Sequence, residues 1–362
     1  MSKNQTFEGI LYIGSYGAES EATIRVCAFD GAAGTMIIKQ EVTQVENASY
    51  LAVSPSGRYL YAVSETGRTG AEAGGSVVSF AVEEGSGELT ELNRQLSHGA
   101  DPCYITVDAA NHAVLLANYT GGNAALLPIN EDGMLAPATS IIREEAPLGS
   151  NTARQEAPHA HAIVVHGHYV YVNDLGTDLI HTFKIEEGTR LVKQSSCKLH
   201  SGAGPRHIVF HQSLSRAYVM NELDSTITHL NVSAGGELTP VQTVSALPEG
   251  FSGYNDAADI HLSPCGRYLY SSNRGHNSIA VFAVDQADGS LTLIQNASCE
   301  GETPRNFMVL PDGSQLLVAN QKTGNIVLFS VNQETGLIHS EGTILEVPSP
   351  VCIRLGAAKQ LG

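Results

Sequence analysis

In the stretch GPRHIVFHQSLSRAYVMNELD, residues 204–224, an arginine opens one apolar run and a glutamate closes the next. The runs at 208–210 and 217–220 flank a polar turn at 212–216, which is the pattern of a β-hairpin. Antiparallel pairing brings the start of the first strand beside the end of the second, so Arg206 and Glu222 share one sheet edge. A guanidinium there can hold an anion or stabilise charge developing on a carbonyl oxygen, and a carboxylate can activate water.

The same unit recurs. SYLAVSPSGRYLYAVSE (49–65), CYITVDAANHAVLLANY (103–119), HAIVVHGHYVYVND (161–174), ADIHLSPCGRYLYSSNR (258–274) and RNFMVLPDGSQLLVANQ (305–321) follow the same course, about 50 residues apart. Each is followed by a third apolar run, at 77–82, 124–129, 179–185, 226–232, 279–284 and 326–331, and then by a short fourth strand after a polar turn. Four strands per repeat and no helical period predict propeller blades. The N-terminus supplies second, third and fourth strands at 11–16, 24–29 and 36–42 but no first one, and 350–355 reads as a first strand at which the repeats end. The chain is therefore expected to be all-β: one seven-bladed propeller over residues 1–362, closed by both termini in a shared blade, which removes two free sheet edges.

In this register the first strands begin with Ser49, Cys103, His161, Arg206, Ala258, Arg305 and Val351, and the second strands end with Glu65, Tyr119, Asp174, Glu222, Arg274, Gln321 and Tyr16. Both sets face one mouth of the central channel. His161, Asp174, Arg206, Glu222, Arg274 and Arg305 fall on four successive blades, and that asymmetry favours a site, since charges in a partly dry channel are costly unless used or paired. The structural alternative is a set of inter-blade ion pairs, Arg206 with Glu222 and Arg274 with Asp174 or Glu222. His159, His207, Asn273 and Asn320 flank these positions and join Asp174 and Arg305 as expected substrate contacts. His207, His211 and His261 lie within strands, where a hydrogen-bonded core histidine is the ordinary finding.

Other chemistries find little support. His159 and His161 resemble half a metal site, but no further ligands stand at suitable spacing, so no metal is expected. No GxSxG elbow, phosphate-cradling glycine loop or dinucleotide fingerprint is present, and no cofactor is expected. Ser54 and Ser263 belong to Ser-Pro-x-Gly turns. A formal charge of −17 argues against nucleic acid or an anionic membrane as partner. With 42% hydrophobic and 16% charged residues, the chain is able to bury a large core. Six scattered cysteines read as isolated buried thiols in a reducing compartment, and the opening MSKNQTFEGILYIGSY lacks the basic and apolar segments of a signal peptide, so a cytoplasmic protein is expected. Two longer loops, 66–75 and 143–157, have compositions suited to mobile surface segments. The second runs into His159 and is either a lid or a plain connector.

With these motifs in place, the chain resembles the lactonase family of seven-bladed propellers, which includes propeller-type 6-phosphogluconolactonases and the fungal 3-carboxymuconate lactonising enzyme. The resemblance is carried by HAHAIVV with VNDLGTD, GPRHIVFH with NELDSTI, AADIHLSPCGRYLYSSNR and TPRNFMVLPDG. It implies His161, Arg206, Glu222 and Arg274 as active-site residues and hydrolysis of a sugar δ-lactone, above all 6-phosphogluconolactone, without a metal. The base is Glu222 or His161. The partner would be a small anionic or sugar lactone, and the protein a monomer or weak homo-oligomer. A carboxymuconate-type cycloisomerase and a non-catalytic protein-binding propeller are the alternatives. A calcium-dependent lactonase is disfavoured by the arginines at the mouth.

Overall fold

The computed structural model describes residues 7–356 apart from positions 71, 111 and 144. The chain ends used in the signal-peptide and whole-chain domain expectations, and one position in each long loop, lie outside the described residues.

Seven four-stranded antiparallel sheets form the ring, and no described residue is helical. In chain order the innermost strands of blades one to six are Leu51–Val53, Pro102–Val107, Ala160–His166, Pro205–Phe210, Asp256–Leu262 and Pro304–Val309. Blade seven takes its innermost strand, Pro350–Leu355, from the C-terminal end and its other three, Glu8–Ser15, Ile24–Asp30 and Thr35–Val42, from the N-terminal end. Pairing of Glu8–Ser15 with Pro350–Leu355 is the predicted ring closure.

Side chains that alternate along the strands are buried on both faces, because each sheet is covered by the blade on either side. The second strands dock through tyrosines. Tyr12, Tyr61, Tyr171, Tyr218 and Tyr270 are fully buried, and each hydroxyl donates to a glycine carbonyl in the next blade's outer turn, at 2.8–3.2 Å. Those glycines, Gly87, Gly133, Gly236, Gly289 and Gly336, have φ of 75–84°, so one residue supplies both the tight turn and the acceptor. Leu115 and Leu317 stand where blades two and six lack the tyrosine.

The feature that shapes the mouth is a break in the first strand. Between Pro205, paired with Asn221, and His207, paired with Met220, the register shifts and Arg206 is left over as a β-bulge. Equivalent shifts leave Cys103, His161, Arg305 and Val351 unpaired, and in blade five Ala258 and Asp259. A bulge interrupts the strict alternation of side chains. Neighbours such as Arg206 and His207 can therefore both reach the channel.

Candidate active site

Glu222 is the centre of the mouth. Its carboxylate is buried, and Oε2 accepts from Arg206 Nε at 2.8 Å and lies 2.9 Å from Arg274 Nη2. His161 Nε2 is 3.8 Å from the same oxygen. Blades three, four and five thus converge on one carboxylate, and the four residues implied by register and resemblance stand together. Arg274 pairs with Glu222 and not with Asp174.

Arg154, a residue that register comparison could not supply, completes the cluster. It bonds Glu222 Oε1, and it also reaches Asp256 Oδ2 at 3.4 Å and the Tyr119 hydroxyl at 3.4 Å. Its loop lies as a strap at the mouth, tied to the neighbouring turns. Gln155 is buried and donates to Leu175 O at 2.8 Å and Asp178 Oδ1 at 2.6 Å, and Gly149 N–H bonds Gly176 O at 2.9 Å. Gly176 approaches so closely that a Cβ there would lie 1.8 Å from Ala157 O. The other long loop contains a small hairpin, Arg68–Thr69 with Glu72–Ala73.

Arg305 also lines the mouth, with its guanidinium 5.2 Å from the centre of the Tyr16 ring. The Tyr16 hydroxyl is itself held by Glu65 at 2.9 and 3.0 Å. Among the described residues Arg305 has no ion pair or side-chain hydrogen bond, so its donors face the mouth uncommitted. Arg206 Nη2 and Arg274 Nη1 likewise lack acceptors among the described residues.

Other expected substrate contacts have structural positions. Asn273 is fully buried and donates to Ala246 O at 2.9 Å, tying its blade to the preceding crossover, and Asn320 does the same with Cys299 O at 2.9 Å. Asp174 accepts the backbone N–H of His159 at 2.8 Å and of Gly176 at 3.0 Å and so shapes the turn below the strap. Asn273 and Asn320 are expected at the mouth from their place beside the register positions and Asp174 from the register itself; the two asparagines donate to crossover carbonyls, and Asp174 accepts from the backbone of its own blade. His159 stacks on Tyr119 with ring centroids 4.4 Å apart and bonds Tyr119 O at 3.0 Å, supporting the ring that Arg154 touches.

His207 lies one layer deeper. Its Nε2 is 3.1 Å from Arg206 Nη1, and its Nδ1 is 2.7 Å from Asp259 Oδ1. Asp259 also accepts from His261 Nε2 at 2.9 Å and from Asn306 Nδ2. A polar chain therefore runs down the channel from the mouth. The signal for Asp259 was present in the sequence as an acid inside the apolar run AADIHL; Arg154 offered none beyond its loop preceding His159.

The electrostatics divide the roles. Burial would raise the pKa of Glu222, but Arg274, Arg206, His161 and Arg154 outweigh it and hold the carboxyl well below the usual range. His161 is pushed well below the ordinary imidazole value by burial and then by Arg206, with Glu222 opposing. At neutral pH the mouth thus holds a carboxylate of little basicity beside a neutral imidazole. Arg274 is lowered to about 10, first by burial, with Glu222 raising it and Arg206 and Arg305 lowering it further. Among the described residues no group of three or more His, Cys, Asp or Glu side chains is placed to hold a metal ion.

The bladed ring and a channel mouth carrying an imidazole, a caged carboxylate and uncommitted guanidinium donors define a propeller suited to acid–base chemistry on a small anionic molecule. Residues 10–355 match the family model described as lactonase, 7-bladed beta-propeller, and the chain belongs to that family. It is 36% identical over 347 residues to the 6-phosphogluconolactonase of Bacillus subtilis (strain 168), covering 95% of this chain and 97% of that one. It is 33% identical over 335 residues to the 6-phosphogluconolactonase of Formosa agariphila, covering 90% and 93%. The solved periplasmic gluconolactonase of Pseudomonas aeruginosa superposes with a TM-score of 0.89 at 31% identity, covering 98% and 100%.

Proposed function

We propose that the protein hydrolyses a phosphorylated sugar δ-lactone, 6-phosphogluconolactone, to 6-phosphogluconate. The observation that carries this reading is Arg305: a guanidinium with no ion pair in contact distance among the described residues, near His161 and the Glu222 cage, is suited to hold the substrate phosphate by paired hydrogen bonds. The relatives named for this activity support the choice of substrate.

Neutral His161 removes a proton from water as the water oxygen adds to the lactone carbonyl. The free N–H groups of Arg206 and Arg274 receive the charge that develops on the carbonyl oxygen, an effect of about 3 kcal/mol for one positioned donor. Collapse of the tetrahedral intermediate breaks the bond to the ring oxygen, which takes the proton back from the imidazolium and leaves as a hydroxyl. Glu222, 3.8 Å from His161, stabilises the imidazolium in between. His161 is given the base role over Glu222 because both carboxylate oxygens of Glu222 are already engaged by Arg154, Arg206 and Arg274. The guanidinium groups supply the electrophile, so the scheme calls on no metal ion or cofactor.

We place the reaction in the cytoplasm, in a protein acting as a monomer or weak homo-oligomer. The unbridged state of all six cysteines supports that setting; five are buried as expected and Cys265, in the turn between the first two strands of blade five, is exposed.

The test is base uptake by purified protein on fresh 6-phosphogluconolactone, before and after dialysis against EDTA. Acceleration in both cases is expected, with slower turnover of unphosphorylated gluconolactone at equal concentration. No acceleration on either lactone, together with cyclisation of a carboxymuconate followed by ultraviolet absorbance, overturns the assignment in favour of the cycloisomerase.

A further inference from the structure

The channel has a second end. Tyr50 and Tyr104 stack across it at 4.2 Å, and His207 meets both rings edge-on at 6.0 and 5.2 Å, so that these three side chains form a floor below the catalytic mouth. On the far side of this floor lies a cavity of about 680 Å³ that opens on the opposite face. Its volume falls within the range of small-molecule sites. The walls are mainly apolar, with Val53, Val107, Phe210, Leu262 and Leu355 ending the inner strands of blades one, two, four, five and seven, while His166 and His261 also line it.

Two charged groups lie in this cavity, and they differ in what remains available. Asp259 is saturated: His207, Ile260, His261, Asn306 and Phe307 all donate to its two oxygens. Arg354 is not. Its guanidinium lies 4.2 Å from the Tyr50 ring centre, Nε donates to Leu51 O at 3.0 Å and Nη1 to Ile353 O at 2.7 Å. Nη2 has no acceptor among the described residues, and no carboxylate there lies within ion-pair distance of Arg354. A cation fixed by its stem and by an aromatic face, with donors left over in an apolar chamber, matches a carboxylate that carries an apolar body.

We propose that this chamber is a second ligand site, separate from the mouth, that takes a small organic monoanion: the carboxylate on Arg354 and the apolar body along the walls. The saturated Asp259 excludes a cationic head, since it has no remaining lone pair to offer and the nearest free group is a guanidinium. The inference stands independently of the lactonase reading, because none of its residues belongs to the catalytic cluster.

The probe is hexanoate, titrated by saturation-transfer NMR and calorimetry, with hexylamine as control. Saturable binding of hexanoate and none of the amine is expected. Arg354→Gln should weaken it at least about tenfold, the loss of a hydrogen bond to a charged group. Val107→Glu, which places a repelling charge on the wall without touching Arg354, should do likewise and carries the test if the first variant fails to fold. Arg305→Gln should leave the affinity unchanged. Absence of saturation, equal binding of the amine, wild-type affinity in Val107→Glu, or loss in Arg305→Gln each overturns the proposal, the last by moving the anion to the mouth.

Discussion

Arg154 and Glu222, 68 residues apart, are joined at the channel mouth by an ion pair that connects the strap to the cluster of His161, Arg206 and Arg274. The side chain of Glu222 is 3% exposed and that of Arg154 34% exposed, so the pair has one dry and one wet partner. Because Arg206 and Arg274 also hold Glu222, the strap arginine can leave the carboxylate without stranding it.

An arginine free to leave Glu222 at the mouth can meet the anionic substrate, so Arg154→Ala is expected to raise KM for the phosphorylated lactone about tenfold while kcat changes little, as for loss of one charge-assisted contact to substrate. Thermal unfolding should stay within a few degrees of wild type. Steady-state kinetics beside a melting curve check both, and a fall in kcat alone would assign Arg154 to the chemical step.

Glu222→Gln should behave differently. It removes the counter-charge from Arg206 and Arg274 inside a buried cluster, which costs about 3–5 kcal/mol of stability. Urea unfolding measures that loss, and turnover should vanish even where the variant is fully folded.

The acid side of the pH profile follows from His161. Neutral His161 is required, and its folded pKa lies well below the ordinary value, so kcat/KM should be level through pH 6.5 and fall only well below it. No alkaline fall is expected from Arg274, because a guanidinium paired with Glu222 keeps its charge. Stability has its own acid limb. His207 is lowered from 6.5 to about 4, first by burial and then by Arg206, so between these values the unfolded chain binds a proton that the folded one does not. Its contribution is intact above pH 6.5 and is lost as pH falls through 4, about 3 kcal/mol in all. Chemical denaturation at a series of pH values tests this, and His207→Gln should flatten the limb.

Asn273→Ala separates structure from function at the same rim. Removing its bond to Ala246 O should cost about 1–3 kcal/mol of stability and leave KM and kcat of the folded protein near wild type. A rise in KM would return Asn273 to the substrate.

Much of this molecule was legible because a propeller is periodic. The hairpin at 204–224 and its copies could be aligned by alternation and turn residues, and the third-strand run at 226–232 coincides with the observed Thr226–Val232. The C-terminal first strand at 350–355 matches Pro350–Leu355 and closes on Glu8–Ser15 as the strand count required. Rim positions follow from that register, which is why the repeat alone sets His161, Arg206, Glu222 and Arg274 on one rim, where they stand together around Glu222.

What the sequence determined by itself is therefore what repeats: the blades, their number, and which residue stands at each edge of the ring. The tertiary structure decided what does not repeat. Bulges at Arg206 and its counterparts turned side chains against the alternation, and no residue type marks them in advance. Contacts to the crossovers hold Asn273 and Asn320, local backbone N–H groups hold Asp174, and the strap carries Arg154 to a carboxylate 68 positions away. Local pairing follows from nearest-neighbour chemistry along the chain, whereas the caged, barely basic Glu222 and the neutral His161 exist only because several blades bring their charges to one dry point.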